Sequence, residues 1–407
     1  MGLHFFNKTP EREFDPEYCQ EYLFSYLNRL GLCYKLEKYG DKFPIYKAFI
    51  VDELNKRKYI GGGKGYKTQG IVSALAECSQ HYLSYNTVSN YQSNKIQILS
   101  STELLNFVPI ESFAKLSKLF NFDEKKVFST LIYQDIFDPK NLFYYPLCLT
   151  EIRYNKLNNV EGDNSLSWRS HDTGSSLGMS YNEALLHGIN EWIEKHSYSI
   201  FLLEHFFSKN NKVLFLQKES LPLYISELVN YIEKTFSDNL LIIVLKNDFG
   251  IPCILTLFSN QLDCTLQPKG LGCSLVKEYA IEKSIFEALQ CRLLRNSNSV
   301  KKEITSLQNF SKYPLFLKAY KLDFSQINSY FINYDDLFSY DCSNLSEQIS
   351  YIYKLLYNQG GYKVYRHVFL AESSGLTSLQ VLIPGLNETF LVKEGKFIVE
   401  KLKRGKL

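Results

Sequence analysis

The chain has 407 residues, of which 45% are hydrophobic and 22% charged, so it can bury a large core and is not an intrinsically disordered protein. Its 46 basic and 43 acidic residues give a formal charge of +3, which is too balanced to argue for nucleic acid or an anionic membrane as a partner. Nine cysteines without a Cys-x-x-Cys pair argue against a disulfide scaffold and a structural zinc site, and they favour a reducing, cytoplasmic location. We expect no membrane span, because there is no signal-like apolar core near the start and no uncharged apolar run of about eighteen residues.

The hydrophobic pattern of the first half predicts helices mixed with strands. In chain order we expect a helix at 17–30, a strand at 42–51, a glycine turn and helix up to about 85, a strand at 96–100, helices at 103–118 and 124–134, and a polar surface loop at 155–165.

The second half continues this alternation. We expect strands at 212–217, 240–246 and 251–258, a helix at 223–236, a glycine turn and helix ending near 295, a linker at 296–303, a helix at 343–361, and strands at 363–371 and 379–386. Helices and strands that interleave along the whole chain predict an α/β or α+β fold.

Between the two halves, the segment 172–203, DTGSSLGMSYNEALLHGINEWIEKHSYSIFLL, joins a small-residue turn to a long helix. On that helix His187, Glu191 and Glu194 lie at i, i+4 and i+7 and form one polar stripe, which Tyr198 continues. Two carboxylates one turn apart behind a glycine turn can hold a divalent cation against phosphate groups. The alternative is an ordinary solvated helix face.

The same arrangement occurs twice more, as an internal repeat would require. GGGKG at 61–65 and KGLGCS at 269–274 each precede a helix with a polar stripe. The stripe residues are Ser73, Glu77 and Gln80 upstream, and Lys283, Glu287 and Gln290 downstream. We therefore predict one polar site assembled from three units, each a glycine turn followed by a helix.

If the stripes converge, several carboxylates share one cavity and repel one another unless cations compensate. Magnesium together with the phosphates of ATP would provide that compensation. Further phosphate charge could be neutralised by Lys64, Lys195, Lys269 and Arg292. GGGKGYKT lacks the spacing of a Walker A loop. His187 is a candidate acid or base, with packing as its alternative role.

Four segments resemble the motifs of the YcaO family in the same order: GKGYKTQGIVSALAE, GMSYNEALLHGINEWIEKH, GCSLVKEYAIEKSIFEALQCRL and LQVLIPGL. The resemblance runs from about Lys64 to Leu386 and implies a YcaO-like fold that binds ATP and Mg²⁺ between helices and activates peptide backbone amides. It implies an N-terminal extension at 1–55 and a YcaO-type ATP-binding catalytic domain at 56–400. In size the chain is similar to the cyclodehydratase subunit of microcin-type synthetases, which work with separate partner proteins.

The stripes and the resemblance together assign three kinds of site residue. The metal ligands are Glu77, Glu191, Glu194 and Glu287. The ATP-binding residues are Lys64, Ser73, Glu77, Gln80, Thr173, Gly174, Lys195, Glu287 and Gln290. The catalytic residues are His187, Lys283 and Arg292.

Several positions depart from the family pattern. Gln80 and His81 stand where the first motif usually has Glu and Arg, and the sequence 172–174 reads Asp-Thr-Gly instead of Ser-Asn-Gly. Lys195 and Lys283 replace arginines, which keeps the charge but loses bidentate phosphate contact. The sequence ends KLKRGKL, whereas azoline-forming members often end in a proline-rich tail.

The resemblance implies an ATP-dependent cyclodehydratase that converts Cys, Ser or Thr of a ribosomally made precursor peptide into thiazolines or oxazolines. Its expected partners are the precursor peptide, a separate substrate-recognition subunit similar to adenylating enzymes, and a flavin dehydrogenase, and a homodimer is one open arrangement. One alternative is a thioamide- or amidine-forming enzyme. Another is a degenerate, non-catalytic scaffold or recruiting subunit of a synthetase.

Overall fold

The computed structural model describes residues 9–89, 96–109, 116, 126–150, 160–166, 169–208, 212–260, 266–324, 328–340, 344–387, 390–392 and 396–398. Its helices are α1 (Pro16–Arg29), α2 (Thr68–Ser89), α3 (Ser101–Leu105), α4 (Glu161–Leu166), α5 (Tyr181–Leu202), α6 (Leu223–Phe236), α7 (Lys277–Leu293), α8 (Ser297–Phe310), α9 (Pro314–Lys321) and α10 (Leu345–Gly360). Its strands are β1 (Cys33–Tyr39), β2 (Ile45–Asp52), β3 (Arg57–Gly63), β4 (Gln97–Ser100), β5 (Val127–Asp135), β6 (Leu142–Pro146), β7 (Ser175–Gly178), β8 (Lys212–Leu216), β9 (Leu240–Leu245), β10 (Cys253–Phe258), β11 (Lys269–Cys273), β12 (Asn328–Ile332), β13 (Tyr365–Ala371), β14 (Thr377–Leu382), β15 (Phe390–Val392) and β16 (Lys396–Ile398).

The described strands form three sheets and a separate small hairpin of β15 and β16. One sheet has the order β1-β2-β3, a second β11-β10-β9-β8-β12, and a third β4-β5-β13-β14-β7 with β6 paired to β5. β12 runs parallel to β8, whereas β13 and β14 pair antiparallel. The mixed helix and sheet composition confirms the predicted fold class.

The three predicted units do form, and each helix packs on the strand that precedes it: α2 on β3, α5 on β7 and α7 on β11. Most of the glycines expected in turns lie in these strands, which corrects the prediction. A β-carbon at Gly61 would collide with the backbone of α2, and one at Gly270 would collide with the backbone of α7. These glycines therefore permit close contact between strand and helix.

The three hydrophobic clusters of the core match the sheets. One joins α1, the β1–β3 sheet and α2, and another packs α6 and α7 on the second sheet. The largest lies around α5, where Trp192 and Ile193 are buried together with residues of the third sheet. The polar face of α5 is thereby turned toward α2 and α7.

The predicted helix at 124–134 is wrong, because this segment contains the strand β5. Its sequence VFSTLIYQD is rich in β-branched and aromatic residues, and it pairs with β4, β6 and β13. The helix predicted at 103–118 is described only in part, as α3, and much of the rest lies outside the described residues.

The predicted linker at 296–303 is also wrong, because α8 begins there. The Asn296 side chain accepts hydrogen bonds from the backbone N–H groups of Asn298 and Ser299, both at 3.0 Å, and so caps the helix. The surface loop predicted at 155–165 contains α4 in its second part, and its first part, up to residue 159, lies outside the described residues. In contrast, the helices predicted at 17–30 and 223–236 are confirmed as α1 and α6.

A domain boundary at residue 55 has no counterpart in the described sheets, since β2 and β3 pair across it from Tyr46 with Gly63 to Asp52 with Arg57. The division into 1–55 and 56–400 stays a prediction. Within the described ranges, none of the helices is long and apolar enough to cross a membrane.

Candidate functional site

In each unit, one glutamate of the helix forms a hydrogen bond with the backbone of the strand or of the turn before the strand. The Gly62 N–H donates to Glu77 Oε2 at 3.0 Å, and the Gly174 N–H donates to Glu191 Oε2 at 3.0 Å. In the third unit the Leu271 backbone bonds the Glu287 carboxylate and helps to lower its pKa. The internal repeat seen in the sequence is therefore also a repeat of one hydrogen bond, which orients three carboxylates.

The first and third units meet through an ion pair. Lys64, directly after β3, places its Nζ 2.6 Å from Glu287 Oε2. Burial opposes the charge on Glu287, but Lys64 and Lys195 outweigh it and hold the pKa of this carboxyl below its usual value. A β-carbon at Gly62 would collide with the Gln290 amide, so Gln290 lies directly against β3.

Nearby cations neutralise the charges of the two glutamates of α5 less completely than that of Glu287. Burial raises the pKa of Glu191 to about 7, and the negative charges of Asp172 and Glu194 add to that rise. Burial also raises the pKa of Glu194, whose Oε1 lies 3.8 Å from Lys195 Nζ. Burial would lower the pKa of Lys195, but Glu194, Glu191 and Glu287 together raise it. This side of the site therefore favours an additional cation.

Glu77 is the carboxylate of α2. Burial raises its pKa, while His81, the Gly62 N–H and Lys64 act in the opposite direction. His81 Nδ1 lies 3.0 Å from the Ile60 carbonyl oxygen, and its Nε2 lies 3.8 Å from Asp172 Oδ2. Gln80 is half-buried on the same helix, one turn after Glu77.

A cavity of about 300 Å³ lies beside these carboxylates. Lys64 lines it and also binds Glu287, so the cavity and the carboxylate cluster are contiguous. Side chains of all three units line the cavity, together with the N-terminal segment: Thr9, Arg12, Lys64, Tyr66, Ser73, His187, Tyr279, Glu282, Lys283 and Phe286. Its volume is at the lower end of the range of small-molecule sites.

His187 and Lys283 are the predicted catalytic residues that reach this cavity. Burial and the cations Lys283, Arg12 and Lys64 hold the pKa of His187 well below its usual value, so the imidazole is neutral at pH 7. Lys283 Nζ lies 3.4 Å from Glu11 Oε2 and donates to the Cys273 carbonyl oxygen at 3.2 Å.

Other predicted groups lie elsewhere. The Arg292 guanidinium packs over the rings of Phe236 and Phe258, at 5.2 and 5.1 Å, and its Nη1 lies 3.7 Å from Asp238 Oδ2. Arg292 thus belongs to the interface of α6, α7 and β10, which corrects its placement at the site. Lys269 donates to the Tyr198 hydroxyl at 2.5 Å.

In the central unit, Thr173 is buried, with 3% of its surface exposed. Gly174 has a φ of +81°, which favours glycine, and this conformation aims its N–H at Glu191.

Sequence reasoning missed the contribution of the N-terminal segment. The Glu11 side chain is 2% exposed and accepts a hydrogen bond from Asn190 Nδ2 at 2.8 Å, in addition to its contact with Lys283. No sequence signal marks this segment, because it reaches the site only through the tertiary fold. Glu282 was also missed, because it precedes Lys283 by one residue and therefore lies outside the polar stripe of Lys283, Glu287 and Gln290.

The donor set suits Mg²⁺, within limits. Among the described residues, no group of three His, Cys, Asp or Glu side chains could hold a metal ion by itself, and the shell of four glutamates stays a prediction. Glu191 and Glu194 are one turn apart and provide oxygen ligands. The nearby cations do not offset the rise in their pKa values that burial causes. Mg²⁺ commonly uses one or two carboxylates together with substrate phosphates, so this pair fits it. Glu287 is held by Lys64 instead, and metal roles for Glu77 and Glu287 stay predictions.

A family model described as YcaO cyclodehydratase, ATP- and Mg²⁺-binding, matches residues 62–387. The chain belongs to the YcaO family. This match confirms the resemblance drawn from the four motifs, and the family description confirms ATP and Mg²⁺ as the cofactors of the family. No curated protein matches the sequence.

Solved structures share the YcaO fold at low sequence identity. A YcaO from Methanopyrus kandleri bound with AMPPCP and Mg²⁺ is similar at 14% identity and a TM-score of 0.69, over 99% of both chains. A heterocyclase in complex with substrate and cofactor is similar at 16% identity and a TM-score of 0.68, over 94% of this chain and 54% of the heterocyclase. The E. coli microcin synthetase McbBCD complex with pro-MccB17 bound is similar at 16% identity and a TM-score of 0.56, over 86% of this chain and 87% of the other. The chain thus spans about half the length of the heterocyclase, and at these identities the likeness concerns the fold alone.

Proposed function

We propose that this YcaO protein is an ATP- and Mg²⁺-dependent enzyme that activates peptide backbone amides, and that its reaction is cyclodehydration of Cys, Ser or Thr in a ribosomally made precursor peptide. The observation that carries the proposal is the meeting of Glu191, Glu194, Lys195, Lys64 and Glu287 beside one cavity. The family match and the structural neighbours that hold a nucleotide or a peptide substrate support it.

In the proposed reaction, a Cys, Ser or Thr side chain attacks the preceding carbonyl carbon and gives its proton to a base. The carbonyl oxygen takes the γ-phosphoryl group of ATP, which leaves ADP. The carbon–oxygen bond then breaks, phosphate departs, and the amide nitrogen loses its proton as the C=N bond of the azoline forms.

The residues of this chain have separate roles in that scheme. Glu191 and Glu194 hold Mg²⁺, which supplies charge neutralisation at the phosphates when it is bound. Lys64, Lys195 and Lys283 neutralise further phosphate charge, and positioning and electrostatics provide most of the rate. His187 is neutral at pH 7 and lines the cavity, so it can accept the proton of the nucleophile.

The remaining predicted residues fit the walls of the ATP site as part of this proposal. Ser73 lines the cavity, and Gln290 lies against Gly62. We assign Glu77 and Gln80 of α2 to the same site, together with Thr173 and Gly174, which precede β7. Arg292 is left out of the proposed machinery, because it packs between α6, α7 and β10.

We also propose the cellular setting. The seven cysteines in the described part of the chain form no disulfide, which supports a reducing, cytoplasmic compartment. The precursor peptide, a separate recognition subunit and a flavin dehydrogenase are the proposed partners, in line with the microcin synthetase complex among the neighbours.

A second candidate function is a non-catalytic scaffold that recruits the substrate to a synthetase. It is favoured by the lysine-bound Glu287 and by the lack of a group of three metal-ligating side chains among the described residues. An enzyme that uses external sulfide or an amine and forms a thioamide or amidine shares the proposed site, so only product analysis separates it from the cyclodehydratase.

The test is calorimetry of ATP binding with and without Mg²⁺, on the wild type and on the double variant Glu191→Gln, Glu194→Gln. Glu204→Gln, beyond the end of α5, is the matched control. We expect Mg²⁺-dependent binding that the double variant weakens more than about tenfold and the control leaves unchanged. A folded wild type that binds no ATP would favour the scaffold.

Product masses then identify the reaction. Cyclodehydration removes one water per ring from the precursor peptide, whereas thioamide formation exchanges oxygen for sulfur. Incubation with the partner proteins, ATP and Mg²⁺ followed by mass spectrometry distinguishes the two.

A further inference from the structure

Glu282 of α7 is a buried carboxyl group to which the proposed reaction gives no role. Its residue surface is 6% exposed, and it lines the cavity. Among the described residues, its Oε2 has no hydrogen-bond partner, and this atom is inaccessible to solvent. Leaving such a group unpaired costs stability, and because the side chain lines the cavity, rotation of its carboxyl group would let a ligand there provide the partner.

The surroundings of Glu282 differ from the rest of the cavity. Tyr279 and Phe286 lie three residues before it and four residues after it, on the same helix face, and Tyr66 lines the cavity from the turn after β3. Lys64 and Glu287 belong to the other end of the site, and Glu282 is about 7 Å along the helix axis from Glu287. The cavity thus extends from Lys64, beside Glu287, to aromatic side chains around one unsatisfied carboxyl group, and Lys283 and Lys67 lie over the rings of Tyr279 and Tyr66 at 5.5 and 4.8 Å.

The protonation state of this carboxyl group narrows the chemistry of its partner. Burial raises the pKa of Glu282 to about 8, so the group is mostly neutral at pH 7. Titratable groups near it include Tyr279 and Lys283 on α7, Tyr224 on α6 and Arg12 of the N-terminal segment. A neutral carboxyl group offers one acceptor oxygen and one O–H donor side by side, a pattern that complements an amine next to a ring nitrogen.

We propose that Glu282 recognises the adenine base of ATP: its carbonyl oxygen accepts from the exocyclic amine, its O–H donates to the adjacent ring nitrogen, and Tyr66 contacts the ring. This inference rests on the proposed function, because it places the phosphates of ATP at the Lys64 end of the cavity. Aromatic side chains suit the flat face of a base, and the paired hydrogen bonds satisfy the buried carboxyl group.

The test compares two ligands on several variants. Mg²⁺-ATP and Mg²⁺-purine riboside triphosphate, which lacks the exocyclic amine, are titrated into wild type, Glu282→Ala, Glu282→Leu and Glu282→Gln. Glu278→Gln is the control, since Glu278 is on the same helix but bonds the Tyr334 hydroxyl outside the cavity. Melting temperatures verify that each variant is folded, and the Leu variant serves if the Ala variant is not.

We expect the wild type and Glu278→Gln to prefer ATP about tenfold, because one buried hydrogen bond distinguishes the ligands. Glu282→Ala and Glu282→Leu should bind both ligands equally within about twofold. Glu282→Gln should retain the preference, because a carboxamide also pairs an acceptor with a donor.

A full preference for ATP in the Ala or Leu variant would overturn the inference while leaving the proposed function intact, and so would a wild type that binds both ligands equally. A wild type that binds neither ligand would overturn the proposed function and the inference together.

Discussion

The α5 side and the α7 side of the site both provide glutamates, but the pKa values of these glutamates are shifted in opposite directions. Glu287 of α7 has Lys64 at 2.6 Å, and its pKa is lowered. Glu191 of α5 has a backbone N–H but, among the described residues, no equally close cation, and its pKa is raised to about 7. The similar units therefore differ in charge state, because Glu287 of the third unit is paired with Lys64, which follows the strand of the first unit.

This difference shows where an external cation belongs. A buried carboxylate that already has a lysine gains little from Mg²⁺, whereas Glu191 and Glu194 carry charge that burial disfavours. Variants on each side of the site test this difference, with an exposed ion pair elsewhere as the comparison, from the largest expected effect to the smallest.

Gly174→Ala should destabilise the protein at the glycine whose N–H binds Glu191 on the α5 side. A β-carbon there would collide with the Val381 carbonyl oxygen and the Trp192 ring, and the φ of +81° adds strain. We expect a loss of about 3 kcal/mol in the free energy of unfolding, measured by urea denaturation. Gly250→Ala is the control: its φ is +69° and nothing lies within 4 Å of the added carbon, so about 1 kcal/mol is expected. Equal losses would mean that the packing around Gly174 is not tight.

Glu191→Gln should stabilise the metal-free protein at high pH. Because the pKa of Glu191 is raised in the folded state, its contribution to stability is fully present below its unfolded pKa and is lost as pH rises from about 4.5 to about 7. The variant should therefore be more stable than wild type by about 2 kcal/mol at pH 8, and the two should converge near pH 4. The measurement is urea denaturation across this range in the presence of a chelator. A gain that does not depend on pH would contradict this account of Glu191.

Lys64→Met should leave Glu287 buried without its cation. We expect a loss of about 2 kcal/mol without nucleotide, because removing one partner of a mostly buried ion pair costs more than the pair contributes. Lys195→Met should cost less, since Lys195 Nζ lies 3.8 Å from Glu194 Oε1, farther than the 2.6 Å between Lys64 Nζ and Glu287 Oε2. Chemical denaturation of both variants provides the comparison, and a larger loss for Lys195→Met would reverse the roles of the two lysines.

Glu372→Gln should have the smallest effect. Its ion pair with Arg29 has the same 2.6 Å distance as that of Lys64 and Glu287, but the Arg29 side chain is 60% exposed. Solvent screens such a pair, so we expect the denaturation midpoint to stay within experimental error. A loss as large as that of Lys64→Met would show that distance, and not burial, determines the strength of these pairs.

Local patterns were sufficient where one segment determines its own structure. The helices α1 and α6 follow from their apolar periodicity, and the stripes that bear Glu77, Glu191 and Glu287 follow from the helical repeat. Local signals failed at β5, because its pairing with β4, β6 and β13 decides its conformation. They also failed at α8, because Asn296 caps a helix in a stretch that resembles a linker. The prediction of glycine turns is wrong for most of these glycines, because their close contact with a helix depends on two elements and not on a local pattern.

The sequence by itself determined the family, the mixed fold class, the three repeated units and the carboxylates that each unit provides. Only the tertiary structure decided which carboxylate is neutralised by Lys64, that Arg292 packs away from the cavity, and that Glu11 and Glu282 reach the site. The physical reason is that helix periodicity depends on neighbours a few residues away, whereas burial and ion pairing depend on elements far apart in the chain. Lys64 and Glu287 are separated by 223 residues, and no local pattern contains their 2.6 Å contact.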